Sequence, residues 1–220
     1  KERALSVLGH NGDNFLGGKN FDLEIVDKVL VPKIMEKFSV KNFNRSNEKY
    51  RSAFSQLKFF AETAKIELSD YDKTSIVVEN IWTDDEGKEI FLTINFSRKE
   101  FESLIKPMID RTIELSKATL KESGIKSSSV AKVVLVGGPT QIPYIRERIE
   151  NDLKITVDSS VDPLTVVAKG ACIFGISQKI PKELMEIDEK KANEGTLSIN
   201  LNYESLTSDT EETISGVIEN

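Results

Sequence analysis

The chain has 220 residues, 39% hydrophobic and 30% charged, with a formal net charge of −6, which suits an ordinary globule of one large or two small domains. No apolar run approaches the roughly 20 residues a membrane helix needs, the start does not read as a signal peptide, and no basic patch alternates with aromatics as a nucleic-acid surface would. A lone cysteine, Cys172, excludes an internal disulfide and points to a reducing, cytoplasmic setting, while a lone histidine, His10, argues against a histidine metal site or a Ser-His pair. The charge is uneven. Residues 182–220 hold three basic and ten acidic side chains, a net of −7, so the other 181 residues carry +1.

In chain order, residues 4–8 read as a short strand ended by a Gly/Asn/Asp turn, and the missing initial methionine reads as a fragment or processed product. Gly17-Gly18 precedes a helix over about 21–38, with Phe21, Ile25, Val29, Leu30 and Ile34 at helical spacing. A polar loop over 42–47 leads to a second helix, along which Tyr50, Phe54, Leu57, Ala61, Ala64 and Leu68 form a narrow apolar seam. Glu62, Lys65 and Ser69 share a face beside that seam. Strands are expected over 75–81 and 89–96, the second with Ile90, Leu92, Ile94 and Phe96 on one face, and Trp82 near the tip packs inward. Ser97 and Glu100 form a capping box that opens a helix to about Glu122, with Pro107 expected to kink or interrupt it.

The stretch KVVLVGGPTQIPYIRERIENDL, residues 132–153, organises the rest. Residues 133–136 predict a strand buried on both faces, Gly137-Gly138 a sharp turn, and Pro143 the first residue of a helix with Ile145, Ile149 and Leu153 on its apolar side. Strand, glycine turn and helix together present backbone N–H groups at a helix N-terminus, where a nucleotide can rest. A short strand over 154–157 follows, then an Asp162-Pro163 helix start, with Ala168, Ala171, Cys172 and Gly175 expected to pack closely on one face. Residues 181–195 form a charged linker, and 196–220 read as a β-hairpin.

Several blocks occur together in order: FLGGKNFD at 15–22, QLKFFAETAKIELS at 56–69, SRKEFESLI at 97–105, RTIELSKATLKESGI, VVLVGGPTQIP and DPLTVVAKGACIFG at 162–175. Over residues 1–177 this resembles the second lobe of the ATPase domain of the 70-kilodalton heat-shock chaperones, DnaK type, and it fades past Pro181. The resemblance implies an α/β fold of the actin-like, chaperone-ATPase kind: a mixed sheet flanked by helices. Residues 1–38 and 117–180 would form the core, 39–116 an inserted α+β subdomain, and the hairpin tail the start of a substrate-binding β-domain. It also implies adenine nucleotide (ATP or ADP, with magnesium supplied by a first lobe lying before Lys1), unfolded peptide clients, a nucleotide-exchange factor and a J-domain co-chaperone as partners, with a role in protein folding and the stress response.

Carried over by position, Gly17 and Gly18 lie beside ribose and phosphates, Glu62, Lys65 and Ser69 hold the sugar and adenine side, and Gly137 and Gly138 line the nucleotide. Four positions depart from the family pattern. Pro139 and Gln141 stand in the G-G-S-T-R-I-P motif for its serine and arginine, Ile66 for the last arginine of E-R-A-K-R, and Leu164 for an acid after N-P. The two absent arginines sandwich adenine in the family, and a guanidinium over a ring contributes roughly 0.5 to 2 kcal/mol. Their loss is expected to weaken nucleotide affinity by about one to three decades at about 1.4 kcal/mol per decade. The D-L-G-G-G-T phosphate hairpin has no match, and the catalytic lysine and metal-binding acids fall outside this sequence, so no catalytic residue or metal ligand is assigned within it and the chain alone is not expected to hydrolyse ATP. The second reading is a degenerate actin-like module that acts only through protein contacts, with residues 71–96 as its docking face.

Overall fold

The computed structural model describes residues 6–79, 82–177, 198–202 and 215–219. The chain divides into two compact units, 1–168 and 169–220.

The first unit is built on three helical segments. Helix α1 spans Gly18–Ile25, passes through a five-residue π-helical turn at Val26–Leu30, and continues as α2, Val31–Lys37. The uniform helix predicted over 21–38 is therefore longer at its start and widened in its middle. Pro32 gives the reason. It lacks an N–H and its ring would strike the carbonyl four residues back, at Lys28, and the wide turn falls on that carbonyl. Helix α3, Arg51–Asp70, buries Ala53, Phe54, Leu57, Ala61, Ala64 and Leu68, the seam read from the sequence, and adds Lys65. Helix α4, Arg98–Glu122, starts at a complete capping box: Ser97 Oγ accepts from the Glu100 N–H (3.3 Å) while Glu100 accepts from the Ser97 N–H (2.9 Å). Pro107 does not interrupt α4. It sits on the exposed side between buried Ile105 and Ile109, so water can serve the carbonyl whose partner it removes.

Strands β1, Lys73–Val78, and β2, Leu92–Ser97, pair antiparallel, with Ile76 opposite Ile94 and Val78 opposite Leu92. Side chains alternate, so Ile76, Val78, Leu92, Ile94 and Phe96 fall on the buried face. Helix α1 packs on α3 and α4, α3 on β1, and α4 on β2. Phe101 is fully buried where these meet, edge-on to Phe21 (6.5 Å between centroids) and Phe96 (6.3 Å). A fully buried ring of this kind contributes about 1.5–3 kcal/mol. Trp82 stacks on Phe43 at 5.1 Å and belongs to a cluster with Tyr50, as an inward-packing residue should.

Strand β3 is shorter than expected. Only Val133–Val134 pairs, in parallel, with β4, Val157–Asp158, and α5, Pro143–Leu153, crosses between them. Leu135 is buried, but Val134 and Val136 are about half exposed, so the predicted burial on both faces does not hold. Among the described residues β3 has a single neighbouring strand, and one flank of the run stays uncovered. Helix α5 buries Ile145, Ile149 and Leu153 as expected.

Helix α6 spans Val166–Ser177. Its small residues Ala171, Cys172 and Gly175 are exposed, so the close packing expected of that stripe is not realised. In the second unit β5, Ser198–Asn202, pairs antiparallel with β6, Ser215–Glu219, which is the hairpin expected of the tail. The charged-linker reading of 181–195 lies outside the described residues.

Two acids tie the loop after β1 to the segment after α2. Asp84, 7% exposed, accepts from the N–H groups of Lys88 (2.9 Å), Glu86 (3.0 Å) and Ser39 (3.1 Å), and these hold its carboxyl below the usual aspartate range, the Lys88 N–H most. Asp85 is held down first by the Lys49 ammonium and then by the Lys41 N–H. A lowered folded pKa means these bonds stabilise the fold above the ordinary value near 3.8 and are lost as the pH falls through and below it. Asp84→Asn should lower the urea midpoint at pH 6–7, and its gap from the unsubstituted chain should close below about pH 4. A gap that stays constant to pH 3 would mean the charge contributes nothing.

Candidate functional site

Of the residues singled out by sequence, Gly18, Lys65 and Pro139 come together where α1, α3 and the turn after β3 converge. Gly17 caps α1 in extended backbone (φ −171°), and its N–H donates to Asn20 Oδ1 at 2.9 Å while Asn20 N–H returns to the Gly17 carbonyl at 2.9 Å. Gly18 follows as the first helical residue. A methyl group added there would lie 2.7 Å from Pro139 Cγ and 3.6 Å from Lys65 Nζ. Residues 18, 65 and 139 therefore converge at van der Waals range, and only a glycine lets the proline ring come so near.

Lys65 reaches this point from α3 with its side chain 10% exposed. Its ammonium lies 2.6 Å from the carboxylate of Asp22, itself only 1% exposed, and 3.9 Å from that of Glu62, which faces solvent. Burial drives the Asp22 carboxyl above the usual aspartate value even though Lys65 pulls the other way. Ser69, one turn on, donates to the Lys65 carbonyl at 3.4 Å. Its own carbonyl, with that of Leu68, accepts from the Arg98 guanidinium at 3.4 and 2.8 Å, which closes the end of α3 against the start of α4.

The glycine turn is built tightly. Gly137 has φ +91° and ψ 154°, a region open essentially to glycine alone, and its N–H donates to the Pro163 carbonyl at 2.9 Å. A 3-10 turn, Gly138–Gln141, follows, and the Thr140 hydroxyl donates back to the Gly137 carbonyl at 2.7 Å. Leu164 lies over Gly138, its Cδ2 3.7 Å from where a Cβ would stand. An apolar side chain thus covers the turn at the position where the family pattern has an acid.

Two hollows flank this turn. One, of about 410 Å³, is lined by Gly17, Gly18, Phe21, Leu135, Pro139 and Thr140 among others. The second, a cleft of about 770 Å³, includes Ser69, Thr140, Gln141 and Arg146. Gly17, Gly18 and Pro139 thus line the first hollow and Ser69 and Gln141 the second, while Glu62, Lys65, Gly137 and Gly138 line neither. Ile66 is 57% exposed on α3. Asp22 escaped the sequence reading. The signal was present: an acid one turn after Gly18, set between Phe21 and Ile25 on the apolar face of α1.

The donor set suits a hydroxyl-bearing ligand. Glu62 offers an exposed acceptor, Lys65 a held donor, and the glycine turn offers backbone at close range. Ile66 and Gln141 stand at the two positions where the family pattern has a planar cation, and the guanidinium-bearing Arg146 lines the cleft that Ser69 and Gln141 share. Among the described residues, no group of three or more His, Cys, Asp or Glu is arranged to hold a metal ion, and no helix is long and apolar enough to cross a membrane.

A mixed α/β domain with glycine turns facing a polar helix edge is a nucleotide-binding type of architecture. The family model described as Hsp70 protein matches residues 1–213, and the chain belongs to the Hsp70 protein family. That match runs beyond Pro181, where the resemblance read from motifs fades.

Gly18→Ala should cost about 1–3 kcal/mol by urea unfolding, because the rigid Pro139 ring cannot yield cheaply. Gly17→Ala should stay within about 0.5 kcal/mol, since nothing lies within 4 Å of the added methyl. Equal effects at the two sites would contradict the packing described.

Proposed function

We propose that this chain is the second, nucleotide-binding lobe of a divergent DnaK-type chaperone ATPase. Gly17, Gly18, Glu62, Lys65, Ser69, Gly137 and Gly138 line the nucleotide, and Ile66, Pro139 and Gln141 form an altered adenine clamp. The observation that carries this reading is the convergence at Gly18, where an added methyl group would stand 2.7 Å from Pro139 Cγ and 3.6 Å from Lys65 Nζ although the three residues are far apart in sequence. The approach of three motifs that position assigns to one ligand supports the reading.

In this reading the chain holds ADP or ATP but does not cleave it. Phosphoryl transfer needs phosphates, metal and attacking water positioned together, and the lysine and acids that do this in the family belong to a first lobe. Residues 1–38 and 117–180 act as the core, 39–116 as the inserted subdomain and 181–195 as the linker, while 196–220 begin a β-rich peptide-binding domain. The lobe closes on nucleotide and passes that state to peptide clients, with an exchange factor and a J-domain protein as cytoplasmic partners.

Calorimetric titration of magnesium ADP into the full-length protein tests this. Binding should fall at least about tenfold, or roughly 1.4 kcal/mol, in Lys65→Ala. Because that change also orphans Asp22, Glu62→Ala serves beside it: Glu62 is exposed, and its loss should weaken binding with the unfolding midpoint unchanged. A folded sample that takes up no ADP at millimolar concentration would overturn the reading.

A further inference from the structure

Asp22 is the one acid buried beneath the candidate site, and nothing in the sequence motifs assigns it a role. It lies on α1 one turn after Gly18, so both face α3. Its Oδ1 stands 2.6 Å from Lys65 Nζ and has no other partner among the described residues. A lysine on four flexible carbons samples many rotamers, and its ammonium is a point charge with three donors. An ion pair with a carboxylate that is 1% exposed, on a lysine side chain itself only 10% exposed, removes that freedom. The same ammonium stands 3.6 Å from where a Gly18 Cβ would lie and 3.9 Å from the Glu62 carboxylate, so its other donors are left for a ligand.

The pairing also sets the charge that a ligand meets. An unpaired lysine beside a glycine turn would attract any phosphate. Paired with a buried carboxylate, the ammonium contributes little net charge and keeps its hydrogen-bonding capacity, which suits neutral hydroxyls. The charges acting on Asp22 are Lys65, Glu62 and Lys58, all on α3. Burial raises its carboxyl while Lys65 opposes, so the carboxylate form depends on the lysine as much as the lysine depends on it.

We propose that Asp22 is a positioning residue for Lys65: its buried carboxylate fixes the ammonium beside Gly18, so that Lys65 reads ligand hydroxyls instead of acting as a free cation toward phosphate. This rests on the nucleotide reading for the ligand's identity, while the fixing of Lys65 stands on the ion pair alone.

The test uses the full-length protein, unsubstituted and as Asp22→Asn and Asp22→Glu. Competitive labelling with acetic anhydride, read by peptide mass spectrometry, gives the reactivity of Lys65 against Lys33 and Lys106, which are 51% and 58% exposed. Lys65 should react at least about tenfold more slowly than either, because burial bars the reagent and the Asp22 carboxylate holds the ammonium. That protection should fall at least about fivefold in Asp22→Asn and be largely restored in Asp22→Glu. If Asp22→Asn fails to fold, Asp22→Ser takes its place with the same expected loss of protection, and a Lys65 as protected there as in the unsubstituted protein would overturn the proposal.

A ligand arm separates this inference from the reading beneath it. Adenosine and magnesium ADP are titrated into each protein. In Asp22→Asn the affinity for adenosine should fall about tenfold while that for ADP falls less, since a freed ammonium regains phosphate attraction. Equal loss for both ligands, or none, would overturn the positioning role and leave nucleotide binding standing. No binding of either ligand to the unsubstituted protein would sink the nucleotide reading, and the labelling result would then decide the ion pair's role on its own.

Discussion

A lysine ammonium sealed against a buried carboxylate is the constraint on which this site depends. Asp22 on α1 and Lys65 on α3 meet at 2.6 Å with almost no access to water. Taking two charges out of water costs several kcal/mol per ion, repaid only by close geometry. Close geometry in turn requires the helices to approach, and Ala61, Ala64 and Gly18 supply the room. Phe21, Ile25, Leu57 and Phe101, all buried, seal the same region with apolar surface. The pair adds little to stability by itself. It fixes which faces of α1 and α3 look at each other, and the polar edge of α3 is set beside the glycine turns as a result.

The glycine turn after β3 is shaped by substitutions as much as by glycines. Gly137 takes a backbone conformation that other residues avoid, and its N–H is held by Pro163. Pro139 then presses its ring toward Gly18, and Leu164 lies on Gly138. Both are apolar where the family pattern carries a hydroxyl and an acid. A nucleotide entering here would meet more hydrocarbon and fewer charges than the family pattern provides, with Ile66 exposed where a stacking cation would stand.

Much of the fold was legible because it rests on local rules. The apolar seam of α3, the capping box of α4 and the apolar face of α5 are set by spacing alone, and each is present. What was not legible depends on neighbours. The widening of α1 into a π-turn follows from a ring clash at Pro32, whereas Pro107 leaves α4 whole because it faces solvent. Val134 and Val136 have the composition of a doubly buried strand but lack the second neighbour that would bury them. Of the candidate site, Gly17, Gly18, Glu62, Lys65, Ser69, Gly137 and Gly138 were singled out from motifs. Asp22 was not, because a single acid on an apolar face becomes meaningful only once the helix opposite is known to carry a lysine at its level.

The central claim is that the two glycine turns and the polar edge of α3 form one ligand surface. Backbone amide mapping by ¹H–¹⁵N spectroscopy, with magnesium ADP added stepwise, tests it most directly. Amides of Gly17, Gly18, Lys65, Gly137 and Gly138 should shift together along one saturating curve, with residues 73–78 and 92–97 of the hairpin unmoved. Shifts confined to one turn, or centred on the hairpin, would contradict the claim.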